Sequence, residues 1–232
     1  MDPNPITATT ETAKAVQEVA KATGKGIDAA REMGGFIANY VRGPIEQGLG
    51  IFDDKLRYAR WERQQRLMQR AATFLAEQGL KEPPNGVPLK FAVPLLQAAT
   101  IEDDDDLQDL WAHLLVNASV EPEVAQHRVF VNVLENMSSF DAQVLFCLQR
   151  TSREPHDAII TAELPASASV WGENMEQPRT QPSDDVLFSL GNLGRLGLIT
   201  GLATAGGGTT WVAVHVTILG KRLVDACSGA AT

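Results

Sequence analysis

The side chains that could perform chemistry in this chain are few, and none stands at the spacing of a catalytic or metal site. Its four histidines have no partner at metal-ligand spacing, and neither an HExxH nor a CxxC motif occurs. The sequence also lacks a GxSxG elbow and a complete phosphate-binding glycine loop. We therefore predict a protein that is not an enzyme, with no catalytic residues, no cofactor and no metal site. The histidines are His113, His127, His156 and His215.

An acidic run from Glu102 to Asp106 resembles a divalent-metal site only in its charge. It lacks the alternating ligand spacing of a calcium-binding loop. Acidic side chains at the start of a helix are stabilised by the helix dipole, by roughly 0.3–1 kcal/mol each. We interpret the run as the first turn of a helix over residues 103–118 and not as a cation site.

A basic helix over residues 53–78 carries the strongest local positive charge in a chain whose net charge is -9. Pairing with acidic helices of the same chain or of a neighbouring subunit is the simplest interpretation of this charge. Anionic lipid headgroups or a nucleic-acid backbone are the alternatives, because basic side chains interleaved with aromatic ones suit both. The predicted contact surface consists of Lys55, Arg57, Arg60, Arg63, Arg66 and Arg70, with Trp61 among them.

An assembly element is predicted in the helix over residues 10–41, which precedes the basic helix. Apolar or small residues recur along it in alternating steps of four and three, which is the pattern of a heptad seam. Small residues also repeat every fourth position, although glycine weakens a helix by roughly 1 kcal/mol relative to alanine. Close approach of a second helix explains the glycines. That helix is either the one over residues 53–78 of the same chain or the same helix of a neighbouring subunit, and we expect a homo-oligomer. The small-residue ridge consists of Ala22, Gly26, Ala30, Gly34 and Ala38.

The order of elements predicts a mainly α-helical fold in three parts. Residues 1–80 form a Gly-rich and Arg-rich helical hairpin for assembly or membrane contact. Residues 81–137 form a central helical domain, with helices over 89–99, 103–118 and 123–136. Residues 138–232 form a winged-helix-like α+β module that begins with a helix over residues 140–150.

Within that module, helices over residues 184–196 and 219–227 flank strands over 198–204 and 210–216. Three consecutive glycines between the strands indicate a hairpin, as in the wing of a winged helix-turn-helix. The helix before the hairpin carries Asp184, Asp185 and a single arginine, and the wing has no lysine or arginine. DNA-reading helices place several basic or amide side chains there. The sequence therefore favours protein contact over DNA binding for this module.

Composition and the N-terminal residues indicate where the protein acts. Hydrophobic residues make up 44% and charged residues 21% of the chain, which excludes disorder throughout, while the negative charge disfavours unspecific nucleic-acid binding. Cys147 and Cys227 are far apart in apolar stretches, as buried thiols of the reducing cytosol are. No signal peptide and no run of about 18 apolar residues is found. We expect a cytoplasmic protein, with the surface of the inner membrane as the alternative.

Three stretches taken together resemble the bacterial abortive-infection Abi-alpha family. They are ETAKAVQEVAKATGKGIDAAREMGGFI, DKLRYARWERQQRLMQRA and VPLKFAVPLLQAATIEDDDDLQDLWAHLLVNA, and they cover most of residues 11–150. The C-terminal part is similar only in outline. The resemblance implies a role in defence against phage, in which the infected cell is sacrificed or arrested, and it implies no catalytic residues.

Two functional hypotheses follow from these observations. The first is a non-enzymatic phage-defence protein that acts through self-assembly, or through contact with a membrane or a partner protein, with a phage protein as its trigger. The second is a winged-helix DNA-binding transcriptional regulator. The acidic helix over residues 184–196 speaks against the second hypothesis.

Overall fold

The prediction of a mainly helical chain is confirmed. A computed structural model describes residues 31–32, 34–40, 61–154, 156–172, 175–176, 178–204 and 206–229. These residues form helices and a small antiparallel sheet of four strands. Most of the predicted helix over residues 10–41 and the first turns of the predicted basic helix lie outside the described residues.

The N-terminal and central parts are helical. Residues 34–40 form a helical segment. The basic helix ends as predicted, since Gly79 follows it with a φ of 73°, a conformation that glycine adopts without strain. The next helices in chain order are α1 (Trp61–Glu77), α2 (Leu89–Ala99), α3 (Asp105–Val120), α4 (Pro122–Ala125) and α5 (Arg128–Leu134).

The prediction of one helix over residues 123–136 is wrong, because the structure has two helices in this range. The chain leaves the helical conformation at Gln126 and His127, which separates α4 from α5. The two halves have different neighbours, because α4 packs against α3 while α5 packs against α2. The break therefore lets both Ala125 and Phe130 reach the core, where they are 0% and 1% exposed.

The C-terminal part combines helices with the sheet. The prediction of two strands around the glycine-rich turn is confirmed, and further strands precede them. Helix α6 (Ser139–Thr151) is followed by β1 (Ile159–Ile160), β2 (Ser169–Val170), α7 (Asp184–Arg195), β3 (Ile199–Ala203), β4 (Thr209–Val216) and α8 (Ile218–Ala226). The strand order is β2-β1-β4-β3, and all neighbours are antiparallel. Strand β1 joins the hairpin through the pairing of Ile159 with Val214.

Buried apolar side chains form a continuous core from the helical segment 34–40 to the end of α8. Ile37 and Tyr40 belong to it at one end of the chain and Cys227 at the other. Trp111 of α3 also belongs to this core and is 1% exposed. Helix α8 packs against α3, α4 and α6, so the C-terminal residues are attached to the central helices. Cys147 and Cys227 are free thiols and both are buried, as predicted.

Candidate functional site

Helices α1 and α3 lie side by side and run parallel. From Arg66 onward their facing residues differ by 39 positions at successive contacts, so each step along α1 is matched by an equal step along α3. The members on each helix recur mostly every fourth residue, which places them on one face. We call this set the ladder. It consists of Arg63, Arg66, Arg70, Phe74 and Gln78 facing Asp103, Asp105, Asp109, His113 and Asn117.

The first half of the ladder is made of ion pairs. Arg63 Nη2 lies 2.9 Å from Asp103 Oδ2, and Arg66 Nη1 lies 3.0 Å from Asp105 Oδ1. Arg70 donates to Asp105 at 2.9 Å, to Asp109, and to Gln108 Oε1 at 3.0 Å. Hydrogen bonds from Arg70 and then Arg66 hold the pKa of Asp105 below its ordinary value of 3.8. The acidic run thus neutralises three arginines of the basic helix.

This arrangement gives both charged segments a structural role. The acidic run begins a helix, as predicted, and Asp104 caps it by accepting a hydrogen bond from the Leu107 amide. Arg63, Arg66 and Arg70 contact acidic residues of their own chain, which agrees with the simplest interpretation of the basic helix. The remaining predicted members of the basic contact surface have side chains outside the described part. They are Lys55, Arg57, Arg60 and Trp61.

The second half of the ladder is formed by ring stacking and amide contacts. The Phe74 and His113 rings are stacked with centroids 3.6 Å apart and planes 9° apart. Gln78 Nε2 donates to Asn117 Oδ1 at 3.2 Å. Asn117 Nδ2 in turn donates to the carbonyl oxygens of Ala226 and Ser228 at 2.9 and 2.8 Å. The ladder therefore connects the basic helix, the central domain and the C-terminal helix.

His113 should make the stability of the protein sensitive to mild acid. Burial lowers the pKa of His113 below 6.5, and this effect exceeds the opposing influence of Asp109 and Glu77. The unfolded chain then binds more protons than the folded chain below pH 6.5, so stability is present above that pH and is lost as the pH falls. His113→Phe retains a ring for Phe74 and removes the titration. We expect its urea midpoint to fall less than that of the parent between pH 7.5 and 5.5.

Equal loss in the two proteins would show that His113 does not cause the acid sensitivity. His113→Gln is a useful second variant, because it removes the titration and also the ring stacking. A stability loss in His113→Gln at pH 7.5 that His113→Phe does not share would separate the contribution of stacking from that of protonation.

A second polar cluster fixes α7 on α6. Asp141 of α6 is 4% exposed, and its carboxylate accepts hydrogen bonds from the amide and hydroxyl of Ser138, both at 2.9 Å. It also accepts from Ser189 Oγ at 2.6 Å and from Asn192 Nδ2 at 2.9 Å, both on α7. Sequence reasoning recognised only the helix start at this position. Ser139 was expected to begin the helix, whereas the N-cap is Ser138, which forms a capping box with Asp141. The partners of Asp141 on α7 gave no local signal.

The small-residue ridge is described only at Gly34 and Ala38; Ala22, Gly26 and Ala30 lie outside the described residues. No described neighbour lies within 4 Å of the position that a Cβ at Gly34 would occupy, and Ala38 is exposed. The opposite side of the same segment packs into the core through Ile37 and Tyr40, whose carbonyl oxygen accepts from the Val87 amide at 2.8 Å. The described end of the ridge therefore faces away from the core.

The described residues contain neither a metal-binding cluster nor a membrane-spanning helix. In that part of the chain, no three or more His, Cys, Asp or Glu side chains are grouped so that they could hold a metal ion. No described helix has the length and apolarity needed to cross a membrane. A surface cavity of about 170 Å³ lies beside β1 and β2 and is lined mainly by small side chains. Its lining residues are Ile160, Ala162, Glu163, Ser167, Ala168 and Ser169.

Comparison with known proteins adds the family. The sequence model of the family described as abortive infection alpha matches residues 62–202, which is more than half of the chain. The match includes the ladder and continues through α7 into β3, beyond the stretches on which the resemblance was first noted. No curated protein and no solved structure matches the chain. The chain belongs to the abortive infection alpha family.

Proposed function

We propose that this protein defends its host against phage by abortive infection, without catalysis, through self-assembly and through contact with a membrane or a partner protein. The observation that carries the proposal is the family match over residues 62–202. The charged side chains of the ladder support a non-catalytic role, because they neutralise one another across a helix interface. They hold the two helices together through ion pairs.

Self-assembly is supported by the direction of the small-residue ridge. Gly34 and Ala38 lie on the side of their helix that faces away from the described core. A helix that carries glycines on an open face gains from them only when a second backbone approaches closely. The partner in this proposal is the same helix of a neighbouring subunit.

Membrane contact, as the second mode of action, is assigned to Lys55, Arg57 and Arg60. The arginines that follow them are engaged by aspartates of α3 or its preceding loop. Each basic side chain near an anionic membrane surface contributes about 1 kcal/mol to binding. The three together contribute about 3 kcal/mol, which favours a peripheral association at the inner membrane.

The C-terminal module is assigned a winged-helix-like fold that serves protein contact. Its support is the succession of α7 and the β3–β4 hairpin, with β1 paired to β4. The exposed side of α7 carries Asp184, Asp185 and Phe188, with Arg195 at its end. Because this face is acidic and apolar, it suits a protein partner better than a phosphate backbone. A phage protein is the trigger that we propose for the response, and its contact is not assigned to this face of α7.

Phage plating with counts of surviving cells tests the function. We expect strains that carry the gene to give fewer plaques than strains that lack it, and their infected cells to die or stop growing before progeny are released. Normal survival of infected cells together with fewer plaques would indicate a different kind of defence. Equal plaque numbers over a broad phage panel would contradict the proposal.

Variants in the same assay separate the two modes of action. Gly26→Leu with Gly34→Leu should abolish protection if the ridge assembles subunits. Replacement of Lys55, Arg57 and Arg60 by glutamate should abolish it if membrane contact is required. A control with the same change of net charge at exposed sites elsewhere should protect like the parent. The control positions are Lys81, Lys90 and Arg150.

A further inference from the structure

Two exposed helix faces in the C-terminal part carry large apolar side chains. Phe188 of α7 is 83% exposed, and Ile218 at the start of α8 is 79% exposed. They are the two most exposed large apolar side chains in the described part of the chain. The charged residues beside each of them determine which partner the two faces fit.

The surroundings of the two side chains have opposite charge. Asp184 and Asp185 are exposed one helical turn before Phe188 on α7. Lys221 and Arg222 are exposed one turn after Ile218 on α8. Each face thus combines one apolar side chain with two adjacent charges, acidic on α7 and basic on α8.

The order of these groups fits an antiparallel pairing. On both helices the apolar side chain is about 5 Å along the axis from the centre of its charged pair. When the helices run in opposite directions, Phe188 meets Ile218 at the same register at which Asp184 and Asp185 meet Lys221 and Arg222. A parallel pairing brings only one of these contacts together at a time, because the charges precede Phe188 and follow Ile218.

We propose that α7 of one copy of this chain packs antiparallel on α8 of a second copy. Charge complementarity favours a second copy as the occupant, since one chain presents both faces. In a twofold dimer each contact occurs twice, which doubles its contribution.

This contact is a second self-assembly surface besides the N-terminal ridge. Its biological role rests on the proposed function. The two surfaces are independent because they lie on different elements. A failure of the α7–α8 contact is thus distinguishable from a failure of phage protection, and each is measured separately.

Disulfide trapping in the full-length chain tests the contact. Phe188→Cys in one copy and Ile218→Cys in a co-expressed, differently tagged copy should form a covalent dimer on mild oxidation. Each variant expressed alone should form little dimer, because its thiols are not opposite each other in the antiparallel register. Cys147 and Cys227 do not compete, since both are buried. Phe188→Cys co-expressed with Ile101→Cys, at an exposed position on another surface, is the matched control.

Charge reversal identifies the register. Asp184→Lys with Asp185→Lys in the Phe188→Cys copy should abolish the covalent dimer, because like charges then face each other. Lys221→Asp with Arg222→Asp added to the Ile218→Cys copy should restore it. Restoration by the double reversal supports the proposal.

Three outcomes overturn the proposal. The first is that Phe188→Cys and Ile218→Cys form no covalent dimer. The second is that the Ile101→Cys control forms as much covalent dimer as that pair. The third is that the charge reversals do not change the amount of covalent dimer. If the dimer is absent while phage protection persists, the face on α7 is open to another protein and the proposed function stands.

Discussion

Replacement of Asp141 by alanine is expected to lower the free energy of unfolding by about 3 kcal/mol, because it leaves the buried Ser189 hydroxyl without its acceptor and removes the capping box that begins α6. The carboxylate is 4% exposed and accepts from Ser138, Ser189 and Asn192. The Ser189 hydroxyl is 1% exposed, so water does not replace the hydrogen bond that it loses, whereas Ser138 is exposed and can turn to water. Urea unfolding followed by circular dichroism measures the change.

Asp185→Ala is the matched control, since it removes an exposed carboxylate from the first turn of α7. Its expected cost is about 0.5 kcal/mol, which is the contribution of an acidic residue to the helix dipole. Asp141→Asn should lie between the two, because an amide retains one acceptor oxygen and adds a donor. A cost for Asp141→Ala no larger than that of Asp185→Ala would show that the cluster does not stabilise the fold.

Asp141 also links stability to the proposed assembly. Its hydrogen bonds from Ser189 and Asn192 attach to α6 the same helix on which Phe188 is exposed. Without them α7 loses its fixed rotation about its own axis. We therefore expect Asp141→Ala to reduce disulfide trapping at position 188 even under conditions in which the protein remains folded.

Local signals were sufficient to predict the ends of most helices. Gly79 ends α1 because its positive φ suits glycine, and Asp104 begins α3 because its side chain caps an exposed amide. Ser138 with Asp141 begins α6 through a reciprocal capping box. Each of these signals lies within four residues of the feature it determines, and such signals can be read directly from the chain.

Contacts between distant residues were not predictable in the same way. The arginines were expected on one helix and the aspartates at the start of another, but the pairing between them was not predicted. That pairing depends on α2 returning the chain so that α3 runs parallel to α1, which no local pattern encodes. A usable signal existed in the four-residue spacing shared by Arg66, Arg70 and Phe74 with Asp105, Asp109 and His113.

The break between α4 and α5 was missed for a related reason. Residues 123–136 have helical propensity and a proline at the helix start, and the local pattern contains no glycine or second proline to interrupt them. Tertiary packing decides the outcome, because Ala125 and Phe130 are buried against different neighbours. Propensity is a weak guide where two buried side chains require different directions of the backbone.

The same substitution at two helical glycines should have opposite effects on stability. Gly220→Ala in α8 places a Cβ 2.3 Å from the carbonyl oxygen of Leu198, and we expect it to cost about 3 kcal/mol through overpacking. That oxygen cannot easily move, since it accepts hydrogen bonds from the amide and the hydroxyl of Thr217 at 2.9 and 3.0 Å. Thermal and urea unfolding measure the loss.

Gly191→Ala in α7 is the control, because no described atom lies within 4 Å of the new Cβ. Alanine favours a helix over glycine by about 1 kcal/mol, so this variant should equal the parent or exceed it in stability. The same preference acts at Gly220, and any loss there must therefore come from contact with Leu198. Equal stability of the two variants would mean that α8 does not lie against the start of β3 as closely as described. The orientation of Ile218, and with it the antiparallel register of the proposed dimer, would then be wrong as well.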